Sequence, residues 1–352
     1  LGNPLGGDTT GFLSDEAIPA GHAVYPLSDQ VAFGLSVTVP FGLSTDYDAG
    51  WAGRYQGITS ELQAININPS IGYEITDTLS FGVGLNAQYI DARLTSAIDF
   101  GAVCFQQAGP ATCTAAGVTP TMADGLIEVE GDDWSYGWNA GFAWEPHPDW
   151  LIGLHYRSNV DQELEGDADF TVPANATFLT ATGAFTDTPG SAGLDLPAST
   201  ELGVRWQATD RATLYANAQW TEWSSLTELR VEFDNPVQPD SVEELNYDDA
   251  GRYGFGGDYK VSDQWTVRAG YALDETPAPA AFRTVRIPDN DRHIFAVGTT
   301  WSPTPDWSVD AAYNRVKIED ADFDRTGDSG DRVVGEFSGH ADVISVAATR
   351  RF

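Results

Sequence analysis

The sequence has few positive charges and no long apolar run, and each shortage excludes a class of protein. Its 18 Lys and Arg stand against 52 Asp and Glu, which gives a formal net charge of −34 at pH 7. A chain this acidic repels phosphate backbones, so nucleic acid is excluded as a partner. No run reaches the roughly 18 apolar residues that a transmembrane helix needs, so no helix is expected to cross a membrane.

Cysteine is nearly absent as well, with only Cys104 and Cys113 in the segment CFQQAGPATC. No His or second Cys pair accompanies them, so a zinc site is not expected, and no other metal site or cofactor is predicted. A local disulfide is the predicted state, and it implies an oxidising compartment such as the periplasm or the cell exterior. Two unpaired thiols in a loop are the alternative.

The residues that are plentiful indicate β-structure. The chain has 36 Gly, 17 Phe, 13 Tyr and 11 Trp, with one Met and few segments rich in helix-favouring residues. One short phrase occurs six times, as YPLSDQVAF, YEITDTLSF, EPHPDWLIG, WQATDRATLY, YKVSDQWTV and WSPTPDWSV. Each predicts a tight turn between strands, because an Asp carboxylate bonds the local backbone and Pro fixes φ. The six aspartates are Asp29, Asp77, Asp149, Asp210, Asp263 and Asp306.

Each turn is followed by a strand with one apolar face. Val83 and Leu85, for example, alternate with Gly84 and Asn86, which is the period of a β-strand. Short turns at one end alternate with long loops rich in Asp, Gly and Pro at the other, as in outer-membrane barrels. The last strand, DVISVAATRRF, ends in the aromatic residue Phe352. Other aromatic residues crowd the short-turn end, where an interfacial girdle would lie: Tyr25, Tyr73, Trp144, Trp150, Trp206, Tyr259, Trp265, Trp301 and Trp307.

These features predict an all-β fold, a transmembrane antiparallel β-barrel in the outer membrane of a Gram-negative bacterium. Six short turns join twelve strands, and the C-terminal segment is a thirteenth. Bacterial single-chain barrels use even numbers, so fourteen strands are expected in the full-length protein, the first of them before residue 1. Residues 1–18 are then the tail of the first external loop, and residues 19–352 are strands 2–14 of a single domain.

Longer phrases resemble the FadL family of outer-membrane transporters for long-chain fatty acids and hydrocarbons. They cover nearly the whole chain and include VYPLSDQVAFGLSVTVPFGLSTDYDAGWAGRY, AININPSIGYEITDTLSFGVGLNAQYIDARL, SYGWNAGFAWEP, LHYRSNV, DETPAPAAFRTVRIPDNDRHIFAVGTTW and the terminal strand. The resemblance implies a fourteen-stranded barrel plugged by an N-terminal hatch that begins with an Asn-Pro-Ala signature. The hatch and the first strand are expected to be missing from this chain.

The resemblance also implies passive uptake of fatty acids or other hydrophobic compounds, with lateral exit where one strand kinks inward. The candidate kink is Pro40-Phe41-Gly42, which follows the predicted strand over residues 31–39. Proline cannot donate to a ladder, so either the strand ends here or the wall has a local defect. Together with the resemblance, the second interpretation predicts a lateral opening at Pro40, Phe41 and Gly42.

Alternation along the strands also sorts the basic residues. The predicted lumen-facing group is His155, Arg157, Arg205, Arg252 and Arg268, with Glu201, Asp258 and Asp310 as available partners. A second group, Arg283, Arg286 and Arg292, lies in the external segment FRTVRIPDNDR. Either group could hold a fatty-acid carboxylate by paired hydrogen bonds, or form internal salt bridges that stabilise the barrel.

One departure from the family pattern affects the choice of ligand. Bases are expected after the strand LNAQYIDA, but only Arg93 is near, and Ser96 and neutral residues follow. Binding through a carboxylate is therefore not required, and a neutral hydrocarbon or aromatic compound stays open as the ligand beside a fatty acid. The other expected contacts are with the lipid bilayer and lipopolysaccharide, and the barrel is expected to be a monomer.

Two other classes of function are the alternatives. One is a structural or adhesive barrel, and the other is an outer-membrane lipid hydrolase. The hydrolase is disfavoured because His155 and Ser158 fall on opposite faces of a strand. The protein is therefore predicted not to be an enzyme.

Overall fold

The computed structural model describes residues 9, 11–13, 15–327 and 330–352, so most of the predicted loop tail, residues 1–8, 10 and 14, lies outside the described residues. Most of the described residues lie in strands. These are β1 Gly21–Pro26, β2 Val31–Asp46, β3 Thr59–Thr76, β4 Leu79–Asp99, β5 Asp124–His147, β6 Trp150–Arg157, β7 Val160–Thr171, β8 Thr188–Leu196, β9 Ser199–Gln207, β10 Ala212–Thr221, β11 Glu228–Phe233, β12 Ser241–Glu244, β13 Ala250–Lys260, β14 Trp265–Asp274, β15 Arg292–Thr304, β16 Trp307–Thr326 and β17 Arg332–Arg350. The helices are α1 Phe100–Gln107 and α2 Pro110–Ala115, with 3-10 turns at Thr177–Thr182 and Trp223–Ser225.

Antiparallel ladders join the strands into one continuous wall. Strands β1 to β5 pair in sequence, as do β13 to β17. Between these two groups the strands form two ladders, one beyond the other along the wall. In the first ladder β6 pairs with β9, β9 with β10 and β10 with β13. In the second ladder β5 pairs with β7, β7 with β8, β8 with β11 and β11 with β12. Four pairs of short strands therefore continue each other, so the seventeen described strands can be counted as thirteen spans. The further strand expected ahead of residue 1 stays a prediction.

All six predicted turns lie between paired neighbouring strands, at one end of the wall. The local acceptor in four of them is the Ser or Thr hydroxyl before the Asp, rather than the expected carboxylate. Ser28 Oγ accepts the backbone N–H of Gln30 and of Val31, at 3.3 and 3.1 Å. The hydroxyls of Thr76, Thr209 and Ser262 accept in the same way. A hydroxyl supports the turn through the same local geometry as a carboxylate, although the bond is weaker.

The two faces of the wall differ as the alternation predicted. Leu85 is 66% exposed and Tyr136 is 76% exposed, whereas Asn86 and Gln88 on the other face are buried. Large apolar side chains exposed in rows around a sheet are the lipid-facing band of a membrane barrel. At the short-turn end, indole rings stack in cross-strand pairs, Trp150 on Trp206 and Trp265 on Trp301. The predicted all-β membrane barrel is confirmed. No helix within the described residues is long and apolar enough to cross a membrane.

The long loop between β4 and β5 folds into a small helical cap at the external end. Cys104 of α1 and Cys113 of α2, the two residues predicted to pair, are joined by a disulfide and are fully buried. They pack with Phe100, Val118 and Leu179 in an apolar cluster of their own. Asp99 accepts the backbone N–H of Ala102 at 3.0 Å and so caps α1. The cap is thus a separate packing unit above the wall.

We expect the double variant Cys104→Ser/Cys113→Ser to loosen this cap without opening the barrel. Losing a disulfide across a short loop should remove about 2–4 kcal/mol of local stability, because the unfolded loop gains conformational freedom. Amide hydrogen exchange of residues 100–118 should then accelerate, while exchange in β4 and β5 stays unchanged. Equal exchange rates in the cap of the variant and the parent protein would show that packing alone holds the two helices together.

Candidate ligand pathway

An apolar cavity lies on the inner face of the wall, in its external half. It has a volume of about 100 Å³ and takes its lining from β2, β3, β4, β5, β7, β8, β11, β12 and the segment before β15. Its floor is a packed cluster that includes Ala64 and Ile90, both fully buried. The apolar side chains that the cavity and the cluster share are Leu62, Ala92, Leu164, Leu194, Leu226, Leu229, Leu245 and Ile287.

This cavity was not predicted from the sequence, although part of its signal is visible there. Along β7, Val160, Gln162 and Leu164 are buried, while Asp161 and Glu163 between them are exposed. The acidic residues of this segment therefore lie on the outer, solvated face and leave an apolar inner face. Alternation in VDQELEGDA could have identified that face, but not the other strands that converge on it.

Next to the apolar cluster, the inner face of β3 and β4 carries a group of buried amide side chains. Asn66 lies directly opposite Gln88 in the β3–β4 ladder, and both are buried. Asn66 Nδ2 and Asn68 Nδ2 donate to Asn86 Oδ1 at 3.2 and 3.0 Å, and Arg157 Nη2 donates to Gln88 Oε1 at 2.6 Å. In the part of the chain that the structure describes, several buried amide atoms have no hydrogen-bond partner, namely Asn66 Oδ1, Asn86 Nδ2, Gln88 Nε2 and both polar atoms of Gln162. We call Asn66, Asn68, Asn86 and Gln88 the amide layer.

Strand β2 passes Pro40 without ending. It runs to Asp46, so the interpretation in which the strand stops at Pro40 is wrong. Thr38 faces Asn66 and Phe41 faces Ala64, so Val39 and Pro40 together oppose a single residue of β3. Two residues opposite one define a β-bulge, which disrupts the ladder locally and bends the strand. The extra residue at the bulge accommodates the missing N–H of Pro40.

The other side of β2 lacks a ladder at the same height. Pairing with β1 stops at Gly21 opposite Val37, and the next pairing with the segment before β1 is the isolated bridge between Leu13 and Thr45. Within the described residues, the backbone of residues 38–44 therefore has no continuous partner on this side. A stretch bulged on one side and without a continuous partner on the other is weakly held in the sheet.

The bulge lies at the boundary between the apolar cavity and the amide layer. Phe41 packs against the apolar cluster, with its ring 5.9 Å from that of Trp223 in an edge-on contact, and Leu43 lines the cavity. On β3, Phe41 faces the apolar Ala64, whereas Thr38 faces the amide Asn66. The inner face of β3 therefore changes from apolar to polar at the height of the bulge in β2.

The five predicted lumen cations are spread over four strands, and the structure pairs only some of them. Arg268 Nη1 forms a salt bridge with Asp310 at 2.9 Å, and Arg157 bonds Gln88 as described above. His155 Nε2 lies 3.4 Å from Asn139 Nδ2. Neither Arg205 nor Arg252 has an ion pair among the described residues. None of the five lines the apolar cavity.

The three external cations are all held by partners. Arg283 is buried and donates to the carbonyl oxygens of Asp289 and Asp322 at 2.7 and 2.9 Å. Arg292 bridges the carboxylates of Asp289 and Asp274 at 2.7 and 3.4 Å. These contacts tie the segment before β15 to the wall, as the interpretation of structural pairing proposed.

Arg286 is the one candidate cation that lines the apolar cavity in the described structure. Its Nη1 donates to the carbonyl oxygens of Thr59 and Thr95 and to Ser60 Oγ at 3.1–3.3 Å, and its Nε lies 3.5 Å from Glu243 Oε2. Burial lowers the pKa of the Arg286 guanidinium, and the Glu243 carboxylate acts in the opposite direction. Arginine stays protonated in proteins, so the pair is a buried cation beside a carboxylate.

Comparison with known proteins gives a consistent set of similarities. The family model described as "Outer membrane protein transport protein (OMPP1/FadL/TodX)" matches residues 5–352. A long-chain fatty acid transport protein of Salmonella typhi is 33% identical over 302 residues, which is 83% of this chain and 68% of that protein. A 47 kDa outer membrane protein of Pasteurella multocida is 34% identical over 316 residues, which is 88% of this chain and 72% of that protein.

Solved structures resemble the barrel as well. A Pseudomonas aeruginosa FadL homologue superimposes with a TM-score of 0.87 at 29% identity, covering 95% of this chain and 78% of that one. The toluene transporter TodX of Pseudomonas putida gives a TM-score of 0.67 at 17% identity, covering 95% and 82% of the two chains, and this likeness concerns the fold alone.

Proposed function

The chain belongs to the OMPP1/FadL/TodX family of outer-membrane transport proteins, and from this premise we propose that it takes up hydrophobic compounds passively and releases them sideways beside Pro40. It is an outer-membrane barrel of a Gram-negative bacterium and a transporter rather than an enzyme. The proposed ligands are long-chain fatty acids, alkanes or aromatic compounds. The observation that supports this route is the coincidence, at one height, of the apolar cavity, the amide layer and the bulge in β2.

The cavity supplies the affinity in this proposal. A hydrocarbon chain that leaves water gains roughly 25 cal/mol for each Å² of apolar surface buried, with no need for a charged partner. The lining is apolar apart from the Arg286–Glu243 pair, the acids Glu61, Glu130 and Asp167, and a few backbone segments. A ligand that reaches the external loops would therefore partition into this cavity spontaneously.

In this proposal the amide layer determines the direction in which the ligand leaves the cavity. Asn66, Asn86 and Gln88 are packed and almost completely buried, so a hydrocarbon continuing along the barrel axis would have to separate polar groups from each other. Burying a polar group without a hydrogen bond costs about 1–3 kcal/mol, and several would be affected at once. The interruption in the wall beside Phe41 opens instead toward lipid, where the chain stays in an apolar medium. No energy source is needed beyond the concentration gradient.

The proposal extends to the surroundings of the barrel. The exposed apolar rows contact the bilayer, and the external rim contacts lipopolysaccharide. We treat the barrel as a monomer.

The hydrolase alternative would need Ser158 as a nucleophile. The Ser158 hydroxyl donates to the carbonyl oxygen of Asn159 at 2.9 Å and accepts the N–H of Trp138 at 3.0 Å.

Uptake by whole cells tests the proposal. The full-length protein is expressed in a Gram-negative host that lacks its own long-chain fatty-acid transporter, and accumulation of labelled oleate and of labelled hexadecane is measured. We expect at least one of the two to accumulate about tenfold faster than in cells with empty vector. Unchanged uptake of both, with the barrel assembled in the outer membrane, would favour the structural or adhesive alternative.

A further inference from the structure

Among the described residues, the apolar cavity contains a single ion pair, in which one positive charge faces one negative charge. Arg286 and Glu243 both line the cavity, their side chains are 13% and 22% exposed, and the guanidinium Nε lies 3.5 Å from the carboxylate. Three other acids, Glu61, Glu130 and Asp167, contribute to the rim but are exposed on the opposite face of their strands. The side chain of Glu130 is 61% exposed and is paired with Arg93 at 3.1 Å. The cavity itself therefore carries no net charge.

The guanidinium of Arg286 also has hydrogen-bond partners in the protein already. Its Nη1 is shared among Thr59, Ser60 and Thr95, so that edge of the guanidinium ties the segment before β15 to β3 and β4. The Nε edge faces Glu243 of β12. A fatty-acid carboxylate that approached Arg286 would come close to the Glu243 carboxylate, which already lies beside the guanidinium.

We propose that Glu243 cancels the charge of Arg286, and that the cavity consequently selects long-chain ligands with an uncharged end, such as alkanes and alcohols, over carboxylates. Adding a carboxylate would give this buried site a net negative charge, and an uncompensated buried charge is strongly destabilising. A hydrocarbon or an alcohol leaves the ion pair intact. This inference rests on the proposed function, because it concerns the same cavity.

The variant Glu243→Gln isolates the effect of the Glu243 charge on ligand selection. It keeps the size of the side chain and leaves Arg286 with an unbalanced positive charge in an apolar cavity, which a carboxylate can then neutralise. The matched control is Glu244→Gln, the exposed neighbour on the same strand. A double variant, Glu243→Gln/Arg286→Met, removes both charges and should bind ligands as the unmodified protein does.

Affinity is measured with purified full-length protein at pH 8, by displacement of the neutral fluorophore N-phenyl-1-naphthylamine with hexadecanol or palmitate. In the unmodified protein and in Glu244→Gln, we expect hexadecanol to bind at least about tenfold more tightly than palmitate. In Glu243→Gln, palmitate should bind about tenfold more tightly than before, with hexadecanol unchanged.

Two outcomes would overturn the inference. One is that the unmodified protein binds palmitate as tightly as hexadecanol, a comparison that needs no variant. The other is that Glu243→Gln leaves the ratio of the two affinities unchanged. Both would leave the proposed function standing, since a ligand still binds. Binding of neither compound would instead count against the proposed function itself.

Discussion

Replacing Pro40, Phe41 and Gly42 by Val, Thr and Val is expected to abolish uptake of hydrophobic ligands while the barrel remains folded. A valine at position 40 would donate the N–H that proline lacks, and β-branched residues favour a regular strand. Loss of the Phe41 ring also removes the contact with Trp223 that holds the bulge against the apolar cluster. A Cβ at position 42 would meet only the carbonyl oxygen of Leu62, at 3.8 Å, so the change fits sterically.

The expected result is a loss of uptake of about tenfold or more, measured as accumulation of labelled ligand in cells with matched amounts of folded barrel. Ligand affinity of the purified variant should stay within a few-fold of the parent, because most of the cavity lining is unchanged. The control is Gly72→Val on β3, where an added Cβ meets nothing within 4 Å and the pairing with Ala32 of β2 and Gly82 of β4 is regular. A sealed variant that still transports at the parental rate would contradict the lateral route.

Filling the cavity is expected to have the second largest effect. Ala92 lines the cavity from β4 and packs against the apolar cluster, so Ala92→Phe places an aromatic ring where the ligand chain is proposed to lie. We expect ligand affinity to fall about tenfold or more, which corresponds to a loss of at least about 1.4 kcal/mol. Overpacking should itself cost about 1–3 kcal/mol of stability, which a barrel of this size can absorb.

The matched control for this prediction is Asp91→Phe, which introduces the same ring one residue earlier. Asp91 is exposed on the opposite face of β4, so its substitution leaves the cavity volume unchanged. The measurement is displacement of the neutral fluorophore by hexadecane or hexadecanol. Equal affinities for Ala92→Phe and Asp91→Phe would place the binding site elsewhere in the barrel.

The strands and turns could be predicted from the sequence because a membrane barrel encodes them locally. Each short turn carries its own Ser, Thr, Asp or Pro, and each strand must keep apolar residues on the lipid side along its whole crossing. Val83 and Leu85 face outward for that reason alone, whatever their neighbours are. The predicted turns are accurate in position, although in four of them the acceptor is a Ser or Thr hydroxyl and not the predicted Asp carboxylate.

The apolar cavity could not be predicted in the same way because it depends on long-range convergence. Leu62 and Leu245 lie far apart in the sequence, and they meet only because the external parts of several strands curve together. Alternation shows which face of a strand is apolar, but a single sequence does not show which faces meet. Pro40 illustrates the same limit, since the bulge is defined by the register of β2 against β3.

The charged candidates show where alternation stops being informative. It assigned His155 and Arg157 to a common inner face, yet Arg157 bonds an amide rather than an acid. Arg286 reaches the cavity because the segment before β15 folds back against β3 and β4, and its partner Glu243 comes from β12. Neither contact has a periodic signal in the sequence. The sequence therefore predicted candidate residues, but not their pairing.

Photolabelling tests the central claim, passage through the cavity and out beside β2, most directly. A hexadecanol that carries a diazirine at the end of its chain is supplied to cells expressing the full-length protein, and the labelled residues are identified by mass spectrometry. We predict labels on cavity-lining residues such as Leu164 and Leu194 and on Phe41 and Leu43 at the bulge. Labels confined to the cleft beyond the amide layer, at Asn139, His155 and Glu201, with none on β2, would contradict the account.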